Sequence, residues 1–243
     1  MNLLEFSEQA IIFTPKDSVA RVTSKMFEER VYNVIIKKNG KYYGIVSARD
    51  ISRRNVNNPD EVEVKQFIKH INPISPETPI SDVIDSVLVN NYNIVPITHD
   101  ETYILTKLGI LAMVKDAESL KKKKASDIMK YPFCASIDDS ISTVISVMKE
   151  MDVARIPILN KNGKAEGLVT TIDLLKADII RQRSKIGEKY GEKQKAKDTP
   201  ITSIMQKDIF KITQSTPIKN VIELMINRKT DTILVEEKNK IMG

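Results

Sequence analysis

Apolar residues recur at helical spacing in four stretches of this chain. In the third, Asp139-Ser140 precede Ile141, Val144, Ile145, Met148 and Met151, which lie on one face of a helix capped by Asp or Ser. The second stretch starts Thr78-Pro79 and continues through Ile80, Val83, Ile84, Val87 and Leu88. The fourth starts Thr216-Pro217 and continues through Ile218, Val221, Ile222 and Met225. Thr as cap, with Pro at the first helical position, predicts a helix start, because that position needs no N–H. The first stretch has Asp17-Ser18 and then Val19, Val22 and Met26. A short apolar segment precedes each helix: Ile11-Ile12-Phe13, Ile71 to Ile74, Phe133 to Ser136, and Ile209 to Ile212. A short apolar strand follows each. Asn39-Gly40 and Asn162-Gly163 supply the positive φ of a tight hairpin turn, which predicts a second strand. That strand ends on a hydroxyl residue in Gly44-Ile-Val-Ser47 and Gly167-Leu-Val-Thr170, and a second helix is predicted to start near Asp50 or Asp173. The order is strand, helix, strand, strand, helix, an α/β (α+β) unit.

The unit repeats. A Pro-hydrophobic pair or its apolar stand-in falls at Ile35-Ile36, Pro96-Ile97, Pro157-Ile158 and Leu234-Val235, at intervals of 61, 61 and 77 residues (35 to 96, 96 to 157, 157 to 234). A unit of about 60 residues buries too little surface to be comfortable alone, so pairs should share a core.

Composition narrows the function. Among 243 residues there is no Trp, and aromatics make up 5%, which argues against a stacking-rich nucleic-acid surface. The single Cys134 excludes an intramolecular disulfide or a CxxC site and reads as a small buried hydrophobe. No apolar run approaches the roughly 20 residues that span a membrane, and the start lacks a signal-peptide pattern, so a cytoplasmic location is expected. The net charge of +6 sits in two connectors, Lys121 to Lys124 and residues 176–199. These read as solvated segments, with nucleic-acid contact as the rival. No phosphate loop, nucleophile elbow, zinc-binding helix or dinucleotide fingerprint is present, Gly187 and Gly191 being too sparse, and neither His70 nor His99 has a ligand-like companion. The chain is not expected to be an enzyme or to need a metal or cofactor.

Together the lead-in Ser126-Asp-Ile-Met129, the Ile/Pro-Ile pairs, the Asn-Gly turns and the endings Gly44 to Ile51 and Gly167 to Leu174 resemble the CBS (cystathionine-β-synthase) domain. The resemblance covers nearly the whole chain as four motifs. It implies two pseudo-twofold Bateman modules: motifs one and two in residues 1–119, divided near 60, and motifs three and four in 120–243. The basic connector 176–199 lies inside the second module. Motif four is read as incomplete, stopping at Gly243 where its closing strand would begin. The family also implies a stand-alone regulator, expected as a homodimer. It would bind AMP, ADP or ATP, with S-adenosylmethionine as a further candidate, and pass the ligand state to a partner protein. The rivals are a ligand-free structural or oligomerisation module and a nucleic-acid-associated regulator.

In the family, the Asp of the closing motif accepts the ribose hydroxyls, the Ser/Thr three residues earlier touches phosphate, and the paired motif supplies the base pocket. Carried over, one cleft combines Ser47, Arg49 and Asp50 with Ile71, Asn72, Tyr92, Asn93 and Ile94. A second combines Thr170 and Asp173 with Ile209, Phe210, Thr230, Asp231 and Thr232. Arg49 would add a charge-assisted phosphate contact. The plain alternative is that Asp50 and Asp173 only cap their helices, and that Tyr92 and Phe210 are core. Motif two carries Gly109 in place of the Asp, so the cleft built with Thr14, Tyr32 and Asn33 should bind a ribonucleotide weakly or not at all. The cleft facing Ala154 and Arg155 lacks a visible Ser/Thr or Asp.

Overall fold

The computed structural model describes residues 2–54, 56–90, 92, 94–98, 102–187 and 199–243, and they form four small three-stranded sheets. A two-residue strand β1 (Glu8–Gln9) opens the chain. The first repeat is β2 (Ile12–Phe13), α1 (Val19–Glu29), β3 (Asn33–Lys38), β4 (Lys41–Ser47) and α2 (Ala48–Ser52). The second holds α3 (Ile80–Asn90), β5 (Ile94–Thr98), β6 (Thr102–Thr106) and α4 (Lys107–Val114). The third is β7 (Ala135–Ser136), α5 (Ile141–Glu150), β8 (Arg155–Leu159), β9 (Ala165–Thr170) and α6 (Thr171–Gly187). The fourth is β10 (Lys211–Ile212), α7 (Ile218–Asn227), β11 (Leu234–Glu237) and β12 (Lys240–Ile241). In each repeat the short first segment runs parallel to the strand after the helix: Ile12 beside Ile35, Ala135 beside Ile158, Lys211 beside Leu234, and a single bridge from Ile74 to Ile97. The next strand returns antiparallel. This is the predicted α/β order.

Local details differ where side chains compete for the backbone. The helices α3 and α7 start one residue after Pro79 and Pro217, not on them; Pro217 is extended at ψ 139°, and the Thr216 hydroxyl accepts the Thr213 N–H at 3.2 Å. Asn39 and Gly40 have φ of 52° and 75°, the two-residue turn expected from their identities. At the matching place in the third repeat only Gly163 is positive. There the Asn160 side chain accepts the Asn162 and Lys164 N–H groups, which widens the loop. The closing strand of the fourth repeat starts earlier than expected, at Lys240, after a turn in which Lys238 and Asn239 both take positive φ without a glycine.

The repeats pair by exchanging their lead-in segments. The turn Leu3–Phe6 packs into the second repeat, where Leu3 lies fully buried with Val83, Val95, Ile97 and Leu105. Residues 63–67 return to the first repeat, with the Val64 N–H donating to Asp17. The third and fourth repeats trade in the same way. Ala125 and Ser126 donate to Thr216 and Gln214, while the Ile201 N–H donates to Asp139. The pseudo-symmetry reaches single atoms: a Cβ on Gly167 would strike Met205, and one on Gly243 would strike Met129.

The shared core between the first two repeats contains Ile35, Ile45, Ile71, Ile94 and Ile104, all at most 6% exposed. Each fully buried aliphatic side chain contributes about 1.5–3 kcal/mol relative to an exposed one, so neither repeat of the pair is expected to stand alone. The two pairs then meet through helices, α6 against α1 and α2, and α4 against α7. Ile172 of α6 is buried within the core of the first repeat.

Candidate functional site

The first cleft lies between the paired first and second repeats. Ser47, buried at the end of β4, caps α2 by accepting the Arg49 N–H at 3.2 Å. Asp50 is therefore the third residue of α2, not the residue before it, because the hydroxyl rather than the carboxylate takes the cap. The freed carboxylate reaches across the pair and accepts the Tyr92 hydroxyl at 3.2 Å. Burial, reinforced by the neighbouring Asp50 charge, pushes the Tyr92 phenol up to about 12. Ile71 and Ile94 are core walls of this cleft, and the Ile71 carbonyl accepts the Tyr42 hydroxyl at 2.7 Å. Asn72 is exposed beside them. Asn93 lies outside the described residues.

Arg49 pairs with Asp152 of the third repeat, as does Arg53 at 2.5 Å. The Arg49 charge is also felt at Tyr92, where it opposes the upward shift of the phenol. Arg53 and then Arg49 hold the Asp152 carboxyl below its ordinary value.

The second cleft is more closed. Asp173 is the third residue of α6 and 3% exposed. One of its oxygens accepts the Thr170 N–H at 3.0 Å, the Thr170 hydroxyl at 2.7 Å and the Gln206 amide at 2.7 Å. The other accepts Arg30 of the first repeat at 3.0 Å. The Thr170 N–H bond is half of a capping box, so the capping alternative for this Asp holds in that form. Of the expected base-pocket residues, Ile209 and Phe210 are half-buried, and the Arg228 guanidinium lies 5.5 Å from the Phe210 ring centre. The Thr230 hydroxyl donates to the Thr232 carbonyl at 3.0 Å, and the Asp231 carboxylate accepts from Arg155.

Arg155, placed by the sequence beside a cleft with no visible Ser/Thr or Asp, makes contacts with two other repeats that the sequence did not reveal. It pairs with Asp231 of the fourth repeat, and its guanidinium carbon stands 4.5 Å from the centre of the Tyr32 ring of the first repeat. Burial pushes the Tyr32 phenol up, against the pull of Arg155. Burial pushes the Lys107 ammonium of the second repeat down, and Arg155 adds to this. A charged cluster thus forms where all four repeats meet. Its sequence signal was the polar residues directly ahead of each repeated pair: Tyr32-Asn33, Tyr92-Asn93, Arg155 and Asp231-Thr232.

The Phe6 main chain packs closely against Gly109. A Cβ at Gly109 would sit 2.3 Å from the Phe6 carbonyl oxygen, so no aspartate fits there. Thr106, the surviving hydroxyl residue, caps α4 and donates to Glu8 at 3.2 Å. Among the described residues no group of three or more His, Cys, Asp or Glu side chains is arranged to hold a metal, and no helix is long and apolar enough to cross a membrane. Cys134 is half-buried rather than buried, and burial raises its thiol. His99, Gly191 and most of the basic stretch 176–199 fall outside the described residues or their described side chains.

Small α/β repeats paired by exchanged lead-ins, each pair enclosing polar groups between its members, define a tandem-repeat protein built around inter-motif clefts. The CBS domain model matches residues 5–57, 125–180 and 201–243, more than half of the chain, and the chain belongs to the CBS domain family. The unmatched stretch contains the second repeat, the copy with Gly109. The fold is similar over 100% of the chain to protein MJ1225 of Methanocaldococcus jannaschii, proposed as an archaeal homolog of g-AMPK, covering 96% of that protein at 16% identity with a TM-score of 0.80. It is also similar to an uncharacterized conserved protein of Pyrococcus horikoshii, with coverage of 100% and 95%, 16% identity and a TM-score of 0.62. No curated protein matches the sequence.

Proposed function

We propose that this chain is a non-catalytic regulatory protein in which four CBS motifs form two Bateman modules, residues 1–119 and 120–243, and that it binds an adenine nucleotide between paired motifs. The observation that carries the reading is the contact between the Asp50 carboxylate and the Tyr92 hydroxyl, a ribose-type acceptor and a purine-type aromatic brought together from two different motifs. An ionised carboxylate accepts only, so it can hold two vicinal hydroxyls. Tyr92 would yield its hydrogen bond to the ribose and keep its ring for the base. Ligand bridging two motifs favours one relative orientation, and a partner protein reads that orientation. The first cleft is the primary site. Binding at the second requires Arg30 to give up Asp173, so that cleft is weaker in this arrangement.

Calorimetric titration with AMP, ADP, ATP and S-adenosylmethionine tests the reading. Saturable heat with an adenine nucleotide is expected, and Asp50→Ala should weaken it by about 1–3 kcal/mol through lost hydrogen bonds. Silence with every adenosine ligand would reject the proposal. A second reading, a structural module without ligand, is favoured at one place only: the saturated and buried Asp173 already does a capping job there. Light scattering tests the expected homodimer separately.

A further inference from the structure

A feature that the proposed function leaves unexplained lies beside α2. Between α2 with the loop after it and the helices α5 and α6 is a cavity of about 510 Å³. That is within the range of small-molecule sites, roughly 300–1,000 Å³. Of the residues assigned to the two clefts only Arg49 lines it, and neither Ser47 nor Asp50 does. Its floor is apolar, with Ile51 from the first repeat opposite Ile145, Met148 and Leu174 from the third. Its rim is charged: Arg49, Arg53 and Arg54 line it together with Asp152. Two of these guanidinium groups share the single Asp152 carboxylate. Arg54 spends one N–H on the Gln66 carbonyl and lies 5.2 Å from the Phe67 ring centre, so its partners carry no negative charge.

We infer that this cavity binds an amphiphilic anion, a small oxyanion head at the arginines with an apolar body over the isoleucine and methionine floor. A guanidinium fork matches a carboxylate in plane and bond direction, and the rim has positive charge left over for one. The apolar floor rejects a fully hydrated anion such as free phosphate, which would gain nothing from that surface. Because one wall comes from the first repeat and the other from the third, the ligand clamps the two pairs in one orientation. The inference stands whether or not the clefts bind nucleotide.

The test is calorimetry of octanoate and octanol on the full chain. Octanoate should bind saturably with one site per chain, and octanol at least tenfold more weakly. Ser146→Trp, from an exposed position on the cavity lining, should block octanoate and leave AMP titrations unchanged. Arg53→Glu should weaken octanoate at least tenfold and bring it level with octanol. No saturable heat from octanoate, equal binding of octanol by the unaltered protein, or undiminished octanoate binding by Ser146→Trp would each overturn the inference.

Discussion

Removing the Asp173 carboxylate should separate its structural work from any role toward ligand. Asp173→Ala strips the acceptor from the Thr170 N–H, the Gln206 amide and Arg30 at once. Asp173 and Thr170 are each 3% exposed, so water does not readily replace the lost oxygens. Each buried donor left without an acceptor costs about 1–3 kcal/mol. The Arg30 side chain is 54% exposed and regains water, so its pair adds little in solution. The Thr170 hydroxyl can rotate. The net loss is about 2–4 kcal/mol, placing the substitution among the strongly destabilising ones. For a chain of this size, that lowers Tm by about 4–16 °C. Asp50 is half-buried and its Tyr92 partner can turn to water, so Asp50→Ala should stay within about 1 kcal/mol of the parent. Thermal and urea unfolding of the parent and both variants, without nucleotide, measures the contrast. The reasoning fails if Asp173→Ala unfolds within 1 kcal/mol of the parent, or if the two variants lose equal stability.

Gly109→Ala should invert the usual helix preference. Alanine in a helix is ordinarily better than glycine by about 1 kcal/mol, but here its Cβ would meet the Phe6 carbonyl at 2.3 Å and displace the lead-in turn. Overpacking of this kind costs about 1–3 kcal/mol, so the variant should melt below the parent, and an equal or higher Tm would refute the clash. Tyr42 and Tyr92 are pushed up to about 12, chiefly by burial. Since the folded value lies above the ordinary one, the stability linked to each phenol is fully present below pH 10 and is lost as pH rises through 12. Ultraviolet titration should therefore show these tyrosines ionising late, together with loss of structure, and Tyr42→Phe should remove one late step. A single ionisation of all seven tyrosines near pH 10 would contradict their burial.

Much of this architecture is determined by the order of residues alone. Helical and strand periodicity report which face of a segment is buried, so the four units, their element order and the first turn were legible from Val19-Val22-Met26, Ile35-Ile36 and Asn39-Gly40. The hydroxyl and carboxylate positions Ser47, Asp50, Thr170 and Asp173 were legible too, and so was the loss at Gly109. Periodicity does not say against what a face is buried. Only the tertiary structure sent Leu3 to the second repeat, paired Arg49 with Asp152, and laid Arg30 on Asp173, 143 residues away in the chain. The same gap hid the close packing of the Phe6 backbone on Gly109. Local pattern follows from backbone geometry and hydrophobic burial, which act within a few residues. The choice among partners for a charged side chain depends on distances set only after the repeats have packed.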